Sequence, residues 1–195
     1  MWQAKYNKFI LFAMSFTLFV TLVIAVTVRL TVRTTPAHID KMTFPEFEGS
    51  SLSDDVKALL SLAKAEYENP QPGSFYADGA QEPWCADFVS YLNKEAGHPF
   101  HNPNNGNWRI PGIYTLKEYF RSIGAWHSEP DYSPKPGDVA IYDGGFFGGH
   151  TNLVVEVGED YIVTLGGNED NAIHLGKFDW RDSKYGLQGF GHLLD

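Results

Sequence analysis

Residues 82–97 read Glu-Pro-Trp-Cys-Ala-Asp-Phe-Val-Ser-Tyr-Leu-Asn-Lys-Glu-Ala-Gly, and this stretch decides the first half of the fold. Cys85, Phe88, Val89, Leu92 and Ala96 recur at the spacing of one face of an α-helix, and Gly97 stands where a left-handed residue closes a helix. Pro83 stiffens the approach, so the helix is predicted to open at Cys85, the single cysteine of the 195 residues. A thiol placed there lies where the helix dipole favours the ionised form.

Working outward, Leu52-Ser53-Asp54-Asp55 supplies a cap and early negative charge for a preceding helix. Val56, Leu59, Leu60, Ala63 and Tyr67 form its inward face, and Asn69-Pro70-Gln71-Pro72-Gly73 stops it. Residues 73–84 and 98–113 read as loops. A third helix is predicted from about Leu116 to Ile123, with Leu116, Tyr119, Phe120 and Ile123 inward and Gly124 at its end. The remainder reads as strands: Asp138 to Tyr142, His150 to Val157, Tyr161 to Leu165, Asn171 to Leu175 and Leu187 to Leu193. The short turn Gly158-Glu159-Asp160 makes the second and third of these a hairpin. Helices followed by an antiparallel sheet place the chain in the α+β class.

Composition narrows the function. The net charge is −9, and Lys5, Lys8 and Arg29 lie in or beside the first apolar stretch; the other 12 basic and 24 acidic residues leave −12. That sign argues against nucleic-acid binding. One cysteine excludes an intramolecular disulfide and multi-cysteine zinc sites. His98 and His101 lie in a Pro/Asn-rich loop without an acidic third ligand and do not read as a metal pair. No G-x-S-x-G, HExxH or Walker motif occurs, and no metal or organic cofactor is expected.

Phe9 to Val28 contains 20 residues without a charge, Gly or Pro, about the length that spans the ~30 Å hydrocarbon core of a bilayer. It exceeds the apolar core of a signal peptide, and Ala25-Val26-Thr27 is a poor cleavage site, so a retained single transmembrane helix is favoured over a cleaved signal and a secreted product. Lys5, Lys8 and the terminal amine give a slight preference for a cytoplasmic N-terminus, with residues 30–195 on the outer, periplasmic or extracellular side. The expected organisation is a flank at 1–8, an anchor at 9–28, a linker at 29–50 and a catalytic domain at 51–195.

Cysteine hydrolysis needs a thiolate, a base for its proton and a third group that holds the base. His150 opens a β-branched strand after the glycine run 144–149, and those glycines would let a substrate come close to the backbone. In a hairpin of this length its neighbour across the strands is the end of the next strand, at Gly166-Gly167-Asn168. The oxygen of Asn168 can then accept the imidazole N–H and fix its tautomer. Trp84 is a candidate cleft wall, and Asp87 has a capping or dipole role beside the site.

Trp84-Cys85-Ala86-Asp87-Phe88-Val89, Pro136-Gly137-Asp138-Val139, Gly149-His150 and Gly166-Gly167-Asn168 together resemble the ordered signature of the CHAP domain, the cysteine- and histidine-dependent amidohydrolases and peptidases, over about residues 55–193. The resemblance implies a papain-like α+β fold and a site of Cys85 as nucleophile, His150 as base and Asn168 as its orienting group, with Trp84, Asp87, Gly149 and Gly167 around the substrate cleft. Many relatives resemble Glu-x-Asn where this chain has Gly166-Gly167-Asn168. The expectation is therefore that no carboxylate assists, and that the imidazole relies on the neutral amide or on a group the sequence does not reveal. The implied substrate is peptidoglycan, its stem peptides or cross-bridges, cut as by an N-acetylmuramoyl-L-alanine amidase or a bridge endopeptidase. Two other readings keep the residues and change the role: a phage lysis enzyme or antibacterial toxin, and an inactive membrane-anchored scaffold that binds wall peptides or a protein.

Overall fold

The computed structural model describes residues 42–128, 131–143, 149–182 and 186–195. The expected anchor at 9–28, its flank 1–8 and most of the linker 29–50 lie outside the described residues, as does most of the glycine run before His150. Among the described residues no helix is long and apolar enough to cross a membrane.

Four helices, α1 (Asp54–Glu68), α2 (Gly73–Tyr76), α3 (Cys85–Glu95) and α4 (Ile113–Ser122), precede six strands: β1 (Trp126–Ser128), β2 (Val139–Tyr142), β3 (His150–Val157), β4 (Ile162–Glu169), β5 (Ala172–Phe178) and β6 (Leu187–Gly191). The strands form one antiparallel sheet in the order β1-β6-β2-β3-β4-β5. The α+β architecture with helices first is thus as read. α1 starts at Ser53, whose side chain accepts the Val56 N–H at 3.4 Å, and buries Val56, Leu59, Leu60, Ala63 and Tyr67. α3 closes on Gly97 at φ 89° and α4 on Gly124 at φ 71°, a left-handed geometry that favours glycine.

The helices lie on one face of the sheet. Phe88 and Leu92 of α3 and Leu59, Leu60 and Ala63 of α1 meet Leu153, Val155, Val163 and Leu165 of β3 and β4. The alternate residues Val154 and Ile162 point to the other face, where Trp180 and Phe190 cover them with Ala140 and Tyr142. This alternation pins the register, because a slip by one residue would exchange the two faces.

Several details depart from the sequence reading. Ile123 is not inward: it sits past the last turn of α4 and is 48 % exposed. α2 falls in a stretch read as loop and β1 in one with no assigned element, both being too short to display a period. β4 runs on through Gly166-Gly167-Asn168 to Glu169, so those residues belong to a strand. The compact unit begins at Met42, earlier than residue 51. Phe44 and Phe47 are buried, and Tyr67 donates its hydroxyl to the Met42 carbonyl at 2.7 Å, which draws the end of the expected linker into the core.

Candidate active site

Cys85 is the first residue of α3, and its free thiol is buried at the helix mouth. Two packing devices set its position. Beneath it, Gly167 of β4 lies so close to the helix that a Cβ there would stand 2.6 Å from the Trp84 ring and 2.7 Å from Phe88 Cβ. The missing side chain lets the start of α3 rest directly on the strand. Gly167→Ala is therefore expected to lower stability by about 1–3 kcal/mol through overpacking, measured as a drop in urea midpoint at unchanged slope.

The second device is ionic. Asp87, in the first turn of α3, is fully buried and pairs with Arg109 Nε at 2.8 Å, and Arg109 also pairs with Glu82. Burial raises the Asp87 carboxyl to about 6, against the opposing pull of Arg109, with Glu82 adding to the rise. Arg109 sits on a loop closed by Asn102, whose Nδ2 donates to the Arg109 carbonyl at 2.9 Å, and the next residue, Ile110, donates its N–H to Ser90 Oγ of α3 at 3.3 Å. The pair thus ties the 98–112 loop to the helix that carries the thiol.

Of the four residues expected at the cleft, three are packed below it. Asp87 and Gly167 act as just described. Trp84 stacks on Tyr76 with ring centroids 5.3 Å apart, meets Phe88 edge-on, and donates Nε1–H to Asn171 Oδ1 at 3.3 Å. Its bulk fills the core because the first turn of α3 faces the sheet. Gly149 stays part-exposed beside His150, where a Cβ would stand 2.6 Å from the Tyr142 carbonyl oxygen and 3.2 Å from Ile113.

His150 opens β3 opposite Tyr142 of β2. Burial alone would push its imidazole down, but hydrogen bonds and charge from Cys85 and Glu169 outweigh burial and hold it up at about 9. The thiol and the imidazole, 65 positions apart in the chain, are therefore interacting partners. His150 Nε2 lies 3.1 Å from Glu169 Oε1, which leaves Nδ1 for the sulfur.

The third group differs from the expectation. The carboxylate of Glu169, rather than the amide of Asn168, meets the imidazole. The β4–β5 register shifts between Gly166 and Glu169, and Asn168 takes a left-handed φ of 61°. That irregularity breaks the two-residue alternation, so residue 169 returns to the face that residue 168 would otherwise share with Gly166. A carboxylate does meet His150, from three positions further along the chain than Gly166. Asn152 also escaped the sequence reading. It is buried on the His150 side of β3, and its Nδ2 donates to Glu169 Oε1 and to Thr164 Oγ1, each at 3.1 Å. Its place two residues after His150 was the available signal.

Residues 76–168 match the CHAP domain family. This chain carries a CHAP domain. A search of curated proteins returned no match to the chain. The CHAP assignment makes the protein a hydrolase of the amidase and peptidase kind, and the Trp84–Val89 segment, His150 and Asn168 all lie within the matched residues.

Two hollows of similar size are found on the CHAP domain near these elements. One, about 330 Å³, adjoins the imidazole and has Tyr142 and Phe178 as aromatic walls with His150 and Glu169 at its margin. The other, about 350 Å³, is polar and is bounded by Trp108, Arg109 and the asparagines of the 98–112 loop. His98 pairs with Asp55 at 3.6 Å. Among the described residues no group of three His, Cys, Asp or Glu side chains gathers to hold a metal ion.

Proposed function

We propose that this protein cuts an amide bond of peptidoglycan, as an N-acetylmuramoyl-L-alanine amidase or a peptide-bridge endopeptidase, with Cys85 as nucleophile and His150 as general base and acid. The observation that carries the reading is the imidazole of His150 between the thiol of Cys85 and a carboxylate. Such an arrangement moves a proton in both directions. The thiol proton passes to His150 as sulfur attacks the carbonyl carbon. The C–N bond breaks, His150 returns the proton to the leaving amine, and a thioester remains. Water, deprotonated by His150, then releases the acid and restores the thiol. The Cys85 N–H, at the first position of α3 and free of an intrahelical acceptor, supports an oxyanion together with one further donor.

In this reading the segment 9–28 stays in the cytoplasmic membrane and keeps the domain on the outer side, close to its polymer. The test is to incubate the full-length protein with purified sacculi of several peptide chemotypes and to identify the released fragments by mass spectrometry. New amine and carboxyl ends at one bond are expected, absent with Cys85→Ala. Release that persists in Cys85→Ala, or no Cys85-dependent product from any chemotype, would overturn the proposal.

A further inference from the structure

We infer that the aromatic-walled hollow beside His150 is a subsite for a primary alkylammonium group with no carboxylate next to it, and that it takes the lysine side chain of a stem peptide. The inference rests on the peptidoglycan reading above and names the part of the substrate held there.

The hollow, about 330 Å³, adjoins the imidazole. Its aromatic walls, Tyr142 and Phe178, have ring centroids 6.0 Å apart. Asn152 and Thr164, from the adjacent strands β3 and β4, line it between them. Gly176 of β5 is the cross-strand partner of Thr164. A Cβ built there would meet only Thr164 Oγ1, at 3.8 Å, so the missing side chain leaves the space open.

One buried atom in this lining calls for a donor. Asn152 is 5 % exposed, and its Nδ2 donates to Thr164 Oγ1 and to Glu169 Oε1, each at 3.1 Å. A carboxylate only accepts, so the amide is held with its nitrogen on that side. The remaining atom, Oδ1, is buried and finds no hydrogen-bond donor among the described residues. Such an acceptor carries a desolvation cost that an incoming N–H removes. The Tyr142 hydroxyl approaches Thr164 without the geometry of a hydrogen bond and is a second acceptor on the same lining.

Charge selects the kind of donor. Proton transfer between Cys85 and His150 leaves that pair neutral in sum, so Glu169 and Asp143 make the surroundings of the hollow negative. Lys117, the cation that faces Asp143, is engaged with Gln188, lies 4.7 Å over the Trp126 ring, and is not part of the lining. An ammonium donates to Oδ1 and is attracted by the aromatic faces, while its alkyl stem covers the apolar walls. A plain alkyl side chain would leave Oδ1 unpaired. A carboxylate beside the amine, as in diaminopimelate, would be repelled by Glu169 and Asp143.

The experiment uses the full-length chain carrying Cys85→Ala, which leaves the probe intact. Calorimetric titration compares three soluble stem tetrapeptides whose third residue is lysine, Nε-acetyl-lysine or diaminopimelate. The lysyl peptide should bind on the order of 10-fold tighter than either of the others. Gly176→Leu, which fills the hollow from β5, should bring the three to within about threefold of one another. Asp143→Asn, at an exposed position, should narrow the gap between the lysyl and diaminopimelyl peptides. Equal binding of the lysyl peptide and either of the other two overturns the inference, and so does a preference that neither variant narrows. Should Gly176→Leu fail to fold, Asp143→Asn decides alone. Failure here is separable from failure of the hydrolase reading. Cys85-dependent release from sacculi beside equal binding of the peptides refutes the subsite alone. Amine-dependent binding with no release from any chemotype refutes the hydrolase reading and supports the subsite.

Discussion

Replacing His150 by alanine is expected to cost as much hydrolysis as replacing Cys85, and the variant lacking both is expected to be no slower than either. The reason is that the two groups act as a unit. Without the imidazole the thiol has no acceptor for its proton, and the leaving amine has no donor. Without the thiol the imidazole has nothing to activate. Removal of either member of such a pair takes away most of what the pair contributes, on the order of 10⁴- to 10⁶-fold in kcat. The residual rate comes from oxyanion donors and from substrate binding, which both variants keep. His150 is part-exposed at the first position of β3, and its removal opens no hole in the hydrophobic core, so the variants should retain near-ultraviolet dichroism and a cooperative melt. The measurement is fragment release from sacculi by the two single variants and the double variant at equal concentration. If His150→Ala stayed within tenfold of the parent protein, the imidazole would be a bystander and the proposed chemistry would fail with it.

How far the fold could be read before the coordinates depends on the period of each element. α1, α3 and α4 are long enough to show a helical face, and Ser53, Gly97 and Gly124 mark their ends with residues that have a physical reason to be there. β2, β3 and β6 fall close to the predicted strands for the same reason: β-branched and aromatic residues bounded by turn residues. What escaped the reading is what periodicity cannot encode. β1 and α2 are shorter than the window in which a pattern can form. The extension of β4 beyond Leu165 through Gly-Gly-Asn carries no strand signal, because glycine and asparagine have turn statistics, whereas here Gly167 serves a helix contact and Gly166 lies against a carboxylate. Cys85 and His150 were legible from their neighbours and from the hairpin. Glu169 was not, because its role follows from one left-handed residue that reverses the facing of everything after it, and a sequence read by strict alternation places the wrong side chain beside the imidazole. Arg109 was invisible for a related reason: only the fold of the 98–112 loop brings it to Asp87.

That buried pair leads to the second large effect. Arg109→Met is expected to destabilise the protein strongly at pH 8 and far less at pH 5. Asp87 is fully buried, and Arg109 is the cation opposing the burial that drives its carboxyl up to about 6. Removing one partner of such a pair leaves an uncompensated charge in the interior, which costs about 3–5 kcal/mol. A group whose folded-state pKa stands above its unfolded value contributes stability that is present below the unfolded value, here 3.8, and is lost as pH rises through the folded value. At pH 5 Asp87 already carries its proton in the parent protein, so the variant forfeits little more than a hydrogen bond. Without Arg109 the folded value climbs further, since burial and Glu82 then act unopposed. The gap between variant and parent therefore widens through pH 6 to 8. Urea denaturation of both proteins at pH 5 and pH 8 measures this, and an equal loss at the two values would show that Asp87 is not the group responsible. The same variant frees the 98–112 loop from the first turn of α3, so at pH 8 and in the absence of urea, hydrolysis should fall before the fold does: the thiol sits on the turn that Arg109 ties down.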